Sequence, residues 1–127
     1  MIKFIYLSMG GIAGAVLRYL ASGMINQFFG VSFPYGTFSV NMTGSFLIGL
    51  LWGLSENFAI PPNMRIFLFV GFLGSFTTFS TFALESLNYL RDNNAKIAIM
   101  NMIISNILGI ILVFLGILIS KYITSNP

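Results

Sequence analysis

Charged residues are so sparse in this chain that four long stretches contain none. These stretches cover residues 4–17, 19–55, 66–84 and 97–120. The charged residues are Lys3, Arg18, Glu56, Arg65, Glu85, Arg91, Asp92, Lys96 and Lys121. A transmembrane helix needs about 20 mainly apolar residues to cross the ~30 Å hydrocarbon core of a bilayer. The spacing of the charges therefore predicts a helical membrane protein.

The stretch 19–55 is too long for one span, and the turn signals at 30–34 divide it. We therefore predict four helices at about 4–26, 35–55, 64–89 and 96–121, and one membrane domain covering residues 1–127. The second connection contains Pro61 and Pro62, and the third is the polar segment 91–96.

Composition excludes several classes of protein. Apolar residues make up 57% of the chain and charged residues 7%, with a mean hydropathy of +0.92. Soluble domains are about 45–50% apolar and about 25% charged, so a soluble enzyme is excluded. Cysteine and histidine are absent, which removes thiol catalysis and cysteine-type metal sites. The net charge of +3 is small and scattered, and this argues against a nucleic-acid surface.

The first predicted helix has a second interpretation. Lys3 followed by the apolar stretch 4–17 is similar to the start of a signal peptide, and residues 21–23 are similar to a cleavage site. Arg18 does not suit such a peptide, and three further spans follow. We expect a retained first helix.

The basic residues are almost evenly divided between the two sides of the membrane. With four spans, Lys3, Arg65 and Lys121 lie on one side, whereas Arg91 and Lys96 lie on the other, with Arg18 near that side. Orientation follows the side with more Lys and Arg only when the two sides differ. One hypothesis is dual insertion and an antiparallel dimer. A weakly biased single orientation is equally compatible with the charges.

Polar residues follow helical spacing inside three of the spans. The three sets are Thr37, Asn41 and Ser45; Gly74, Thr77, Thr81 and Glu85; and Asn101, Ser105 and Gly109. Such residues often bond only to their own helix or to a neighbouring one. Three parallel sets in four spans favour a polar pathway, because intramembrane polar groups generally face a protein interior or a cavity.

The residue types along this pathway favour a small anion over a cation. Cation routes usually carry rings of carboxylates, whereas here the acidic residues lie toward span ends. Hydroxyl and amide groups can donate to an anion. Phe79 and Phe82, spaced i and i+3, can present the positive edges of their rings. Residue chemistry alone does not distinguish fluoride from chloride.

Three segments resemble the bacterial fluoride channel family, the Fluc or CrcB proteins. They are GIAGAVLRY (11–19), GTFSVNMTGSFLIG (36–49) and GFLGSFTTFSTFALE (71–85). The resemblance covers the whole chain. It implies a passive channel that exports fluoride and so lowers its cytoplasmic concentration. It also implies an antiparallel, dual-topology homodimer in the bacterial cell membrane, with a third helix that is broken mid-span.

The same resemblance assigns roles to individual residues. It implies that Asn41, Phe79, Phe82, Thr37 and Ser105 line or border the anion path, and Thr81 lies on the same polar face. Backbone carbonyls of Gly74 and Thr77 are implied to hold a structural Na⁺ at the centre of the dimer. Arg18 and Glu85 match family positions that we assign to structural roles. Some relatives have tyrosine where Asn101 stands and serine where Gly109 stands.

Two other classes of membrane protein remain as alternatives. Proton-coupled small multidrug-resistance exporters are also four-helix antiparallel dimers, but they need a membrane-embedded glutamate early in the chain. The first acidic residue here is Glu56, at the end of the second predicted span. A non-transporting assembly subunit would not need three polar sets. A membrane enzyme lacks a plausible acid–base or nucleophile–base pair.

Overall fold

The structure is a computed structural model that describes residues 1–125, and all regular secondary structure within that range is helical. Its elements are α1 (Ile2–Phe29), α2 (Tyr35–Asn57), α3 (Pro62–Arg65), a π-helical segment (Ile66–Leu73), α4 (Gly74–Phe76), α5 (Phe79–Arg91) and α6 (Ala95–Ser125). We call residues 62–91, from α3 to α5, the third span.

Within residues 1–125, four helical stretches are long and apolar enough to cross a membrane: 2–29, 35–57, 62–91 and 95–125. This confirms the predicted all-helical chain with four candidate spans. The helices extend a few residues beyond most predicted ends. Hydropathy marks only the hydrocarbon core, whereas a helix of 28 residues is roughly 42 Å long. That length also crosses the interfacial layers of a bilayer about 40–45 Å thick.

The helix ends follow local backbone chemistry. Gly30 ends α1 with φ of 78°, a left-handed conformation that glycine adopts without a steric penalty. Pro62 is the first residue of α3, where its missing N–H and fixed φ are tolerated. Asn93, between α5 and α6, has φ of 58°, and asparagine is among the few other residues that tolerate this region.

The third span is interrupted after α4 by two residues with extended backbone. Thr77 has φ −80° and ψ 154°, and Thr78 has φ −147° and ψ 114°. Thr78 then caps α5, because its Oγ1 accepts a hydrogen bond from the Thr81 amide (3.3 Å). Helical spacing therefore does not continue from α4 into α5.

Glycines allow very close helix crossings. α1 packs on the π-helical segment, and α2 packs along α6. A Cβ atom added at Gly14 would overlap the Phe72 carbonyl oxygen, and one at Gly49 would overlap the Val113 carbonyl oxygen. Backbones can approach this closely only where side chains are absent, as in other membrane helix pairs.

The side chains buried within the described chain are few. Val40, Leu73, Phe76 and Ala98 are its buried apolar side chains. Large apolar residues on every span face outward, including Phe4 at 72% exposed and Ile110 at 73% exposed. Apolar surface of this extent requires a cover of lipid or protein. The helices are therefore built for a bilayer.

Candidate functional site

A cavity of about 360 Å³ with both polar and apolar walls lies beside the interruption of the third span. Its walls come from α2, the third span and α6. Six of the residues that the sequence suggested for a site line it: Asn41, Gly74, Thr77, Phe79, Phe82 and Ser105. None of the residues that line it is charged. We refer to it as the main cavity.

Asn41 bridges from α2 to the interrupted backbone through two reciprocal hydrogen bonds. Its Nδ2 donates to the Thr78 carbonyl oxygen (3.1 Å), and its Oδ1 accepts from the Thr78 amide (2.8 Å). Asn41 Oδ1 thus takes the place of the backbone carbonyl to which the Thr78 amide would donate in a continuous helix. An asparagine amide has two N–H donors, so one of them is still available to an occupant of the main cavity.

The Asn41 bonds also affect Gly74. In a continuous helix, the Thr78 amide would donate to the carbonyl of Gly74, four residues earlier. That amide donates to Asn41 instead, which leaves the Gly74 carbonyl without its helical partner. The Thr77 amide still bonds to the Leu73 carbonyl (3.0 Å). The break in the hydrogen-bond ladder therefore begins at Thr78.

Phe79 and Phe82 occupy the first turn of α5 and form a tilted pair. Their ring centroids are 5.6 Å apart and the ring planes make an angle of 44°. Phe79 is 78% exposed within the single chain, whereas Phe82 is half-buried. The Thr78 cap fixes the start of α5 and hence the position of the two rings at the main cavity. Tilted rings can turn edges rather than faces toward a neighbouring ion.

Ser105 lies on the α6 wall of the main cavity. Its hydroxyl donates to Asn101 Oδ1 (3.1 Å), and Asn101 Nδ2 donates to Ser86 Oγ (3.0 Å). Asn101 and Ser86 are each 1% exposed, and neither lines the cavity. These three side chains join α6 to α5 by polar contacts.

Three other predicted residues lie at a separate, smaller cavity. Arg18, Thr37 and Thr81 line this second cavity, which has a volume of about 150 Å³. The predicted set of Gly74, Thr77, Thr81 and Glu85 is therefore divided, because the extended residues interrupt the helix. Gly74 and Thr77 line the main cavity, Thr81 lines the second one and Glu85 lines neither. Thr78 contributes to both linings, and so it stands between the two cavities.

Glu85 lies in α5 and bonds to α2. Thr37 Oγ1 donates to Glu85 Oε1 (2.7 Å). The other carboxylate oxygen, Oε2, is buried and has no hydrogen-bond partner among residues 1–125. The contact fixes the Thr37 hydroxyl, which also lines the second cavity. This hydrogen bond thus joins α2, at the wall of the second cavity, to α5.

Thr78 is not among the residues predicted from the sequence, although it makes more polar contacts than most other residues of the site. It pairs with Asn41, caps α5 and donates to Thr81 Oγ1 (3.0 Å). A local signal was present, since threonine is a favoured residue at the position before a helix. Ser86 and Asn101 carry no such local signal, because their pairing depends on how α5 and α6 cross.

The fold and its cavities define a multi-pass helical membrane protein in which a cavity lined by uncharged residues lies between spans. The chain belongs to the family described as CrcB-like protein, Camphor Resistance (CrcB), whose model matches residues 5–117. This confirms the family resemblance found in the three sequence segments.

Individual relatives agree with the family match over nearly the whole chain. A fluoride-specific ion channel FluC of Parabacteroides distasonis is 46% identical over 123 residues, covering 97% of this chain and 96% of that protein. A protein of the same name from Citrifermentans bemidjiense is 42% identical over 120 residues, covering 94% of this chain and 97% of that protein. The bacterial sources of these relatives support the cell membrane as the location of this protein.

Proposed function

We propose that this protein is a passive fluoride channel and that the main cavity is part of its ion pathway. The observation that carries the proposal is the cavity itself: Asn41, Ser105 and the Phe79–Phe82 pair converge on one uncharged space. Relatives of the same length are named fluoride-specific ion channels. These names support a channel and not an enzyme.

The chemistry of the main cavity suits an anion that has lost part of its water shell. Asn41 offers an N–H donor, and the rings of Phe79 and Phe82 offer positive edges. A cation pathway would instead present carboxylates or several converging carbonyl oxygens. None of the side chains that line the cavity carries a charge that would hold an anion too tightly for release.

Passive conduction would be enough for fluoride to leave a cell. A potential that is negative inside favours exit of an anion by about 2.3 kcal/mol per elementary charge per 100 mV. No coupling to protons is then needed. The alternative, a proton-coupled exporter of the small multidrug-resistance type, would use an early glutamate within the membrane. Glu56 instead is exposed at the last turn of α2.

We infer further that two chains assemble as an antiparallel homodimer. The near-even division of basic residues supports dual insertion. The apolar faces left uncovered by a single chain support a protein partner as well as lipid. Gly74 is exposed, and a Cβ added there would meet only the Phe69 carbonyl oxygen, at 3.7 Å. The surface around Gly74 is therefore open to a second chain.

The proposed Na⁺ would be held by carbonyl oxygens of Gly74 and Thr77 from the two chains. The residues fit such an ion, because the Thr78 amide donates to Asn41 instead of to the Gly74 carbonyl. The Gly74 carbonyl oxygen is therefore free of its helical partner. Thr77 and Thr78 stand 15 and 16 residues after Pro62 in a span of 30 residues, and this position supports an interruption near mid-membrane. Non-helical backbone at that depth is tolerated where it is buried in protein or lines a cavity. Bound Na⁺ would supply positive charge at the interface.

The proposed function is tested by fluoride efflux from liposomes. We expect purified protein to release internal KF, measured with a fluoride electrode, when the pH is equal on both sides and valinomycin carries the balancing K⁺. Efflux should follow the fluoride gradient alone, because no proton is coupled to it. Liposomes without protein give the background leak.

A parallel measurement with chloride tests whether the channel is specific for fluoride. Liposomes loaded with KCl should lose chloride at close to the background rate, measured with a chloride electrode. Efflux of fluoride that depends strictly on a proton gradient would contradict the channel and favour the exporter. Equal rates for the two anions would contradict fluoride specificity.

Removal of Na⁺ tests the proposed ion at the dimer interface. We expect protein purified with N-methylglucamine in place of Na⁺ to elute with a smaller dimer fraction and to conduct less. The reason is that the carbonyl dipoles would then repel one another without a cation between them. Returning Na⁺ to the same sample should restore the dimer and the flux. An equally stable dimer without Na⁺ would argue against a cation at Gly74 and Thr77.

A further inference from the structure

A short chain of polar side chains leads from the wall of the main cavity into the space between α5 and α6. It runs from Ser105 through Asn101 to Ser86, with separations of 3.1 and 3.0 Å between the bonded atoms. Of these three residues, only Ser105 lines the main cavity. Asn101 and Ser86 are almost completely buried, at 1% exposed each.

The direction of these hydrogen bonds determines whether Ser105 can donate a hydrogen bond to an anion in the main cavity. A serine hydroxyl has a single hydrogen to donate, and Ser105 donates its hydrogen to Asn101 Oδ1. In this arrangement the Ser105 oxygen offers the main cavity only lone pairs. A lone pair repels an anion, so Ser105 cannot stabilise fluoride until its hydroxyl turns.

We propose that Asn101 is a positioning residue that releases the Ser105 hydroxyl to an entering anion by rotating its side-chain amide. A half-turn about the Cβ–Cγ bond of Asn101 exchanges the positions of its Nδ2 and Oδ1 atoms. Asn101 Nδ2 then donates to Ser105 Oγ, and Ser86 Oγ donates to Asn101 Oδ1. Two hydrogen bonds exist before the rotation and two after it, and no proton changes its heavy atom. The Ser105 hydroxyl is then free to donate to fluoride. This inference rests on the proposed fluoride channel.

The residue types explain why the bonds can reverse. A primary amide carries a donor and an acceptor of nearly the same size at its two ends, and a serine hydroxyl can serve as either. Leucine at position 101 would offer neither group. Ser105 would then bond to the backbone carbonyl at position 101, four residues earlier, as serines in helices commonly do. Aspartate would only accept, so it would hold the Ser105 hydroxyl permanently.

A double-mutant cycle on fluoride efflux tests the proposal. We expect Asn101→Leu and Ser105→Ala each to lower the rate about tenfold, since each removes one hydrogen bond to a charged species. The double variant should be no slower than either single one, because Asn101 acts only through Ser105. A merely structural role for Asn101 would instead lower the dimer fraction or the melting temperature and would add to the Ser105 effect.

Ser120→Ala is the matched control on the same helix. Ser120 is buried and donates to the Ile117 carbonyl oxygen (2.7 Å), and it lines neither cavity. Its efflux rate should stay within about twofold of the original chain, as expected for removal of a local bond. Asn101→Asp, which keeps the shape of the side chain, replaces Asn101→Leu in the cycle if the leucine variant does not fold.

The possible results separate the inference from the function on which it rests. Efflux at the original rate in the Asn101 variant, or losses that multiply to about a hundredfold in the double variant, would overturn the inference alone. An original chain that passes no fluoride would overturn the proposed function, and the inference with it. Equal losses in the single and double variants would support the role of Asn101.

Discussion

Asn41→Asp is expected to lower fluoride efflux from liposomes by at least about a hundredfold, which corresponds to ~2.7 kcal/mol in the barrier. Aspartate keeps the oxygen that accepts from the Thr78 amide but replaces the donor to the Thr78 carbonyl with a second oxygen. Two oxygens would then face each other across the interruption. The new negative charge at the cavity wall would also repel an anion, by about 4 kcal/mol at 4 Å for an effective dielectric constant of 20.

Asn26→Asp is the matched control for this substitution. Asn26 also holds a backbone amide, that of Gly36, but the bond uses only its Oδ1 (2.8 Å), which aspartate retains. Asn26 lines neither cavity, so its variant should conduct within about twofold of the original chain, as expected for a retained bond. Unchanged efflux from Asn41→Asp would show that the Asn41–Thr78 pair is not needed and that the main cavity is not the pathway.

Gly49→Ala is expected to prevent assembly of a stable protein. A Cβ atom at this position would overlap the backbone carbonyl of Val113 on α6. A carbonyl cannot turn aside as a side chain can, so α2 and α6 would have to separate along their whole contact. We expect a loss of about 3 kcal/mol or more, at or above the upper end of the usual range for overpacking. Size-exclusion chromatography and thermal unfolding in detergent would measure it.

Gly23→Ala tests the same change where the structure leaves room. No heavy atom lies within 4 Å of a Cβ added at Gly23, which lies inside α1. Alanine should therefore fold normally, with a melting temperature equal to or slightly above the original, because it favours helix over glycine by roughly 0.5–1 kcal/mol. A Gly49→Ala protein as stable as Gly23→Ala would contradict the close crossing of α2 and α6.

The number and order of the spans could be predicted because a bilayer restricts which residue types a membrane-spanning segment can contain. Charges and unpaired backbone groups are excluded from hydrocarbon, so the spacing of nine charged residues together with the turn signals at 30–34 located four helices. Helix ends were predicted less well. They lie in the interfacial layers, where polar residues such as Gln27 and Asn57 are tolerated and hydropathy no longer marks a boundary.

The structure divides the predicted site residues between two cavities. Asn41, Phe79, Phe82 and Ser105 lie together at the main cavity, whereas Arg18, Thr37 and Thr81 lie at the second one. Helical spacing relates residues only along an uninterrupted helix. Two extended residues, Thr77 and Thr78, separate α4 from α5, and so Thr81 lies at a different cavity from Gly74 and Thr77.

The sequence by itself determined that this chain is a four-span helical membrane protein with polar residues inside its spans, since solubility in lipid depends on residue type and spacing alone. Only the tertiary structure decided how those polar residues pair. Asn41 meets Thr78 from 37 positions away, and Asn101 meets Ser86 across α5 and α6. A hydrogen bond requires its two atoms to be about 3 Å apart. Between helices, that distance is set by crossings that glycines make possible. The four-residue spacing of Gly10 and Gly14 or of Gly49 and Gly53 marks a face that can pack closely, but it does not say which polar side chains of the neighbouring helix are met there.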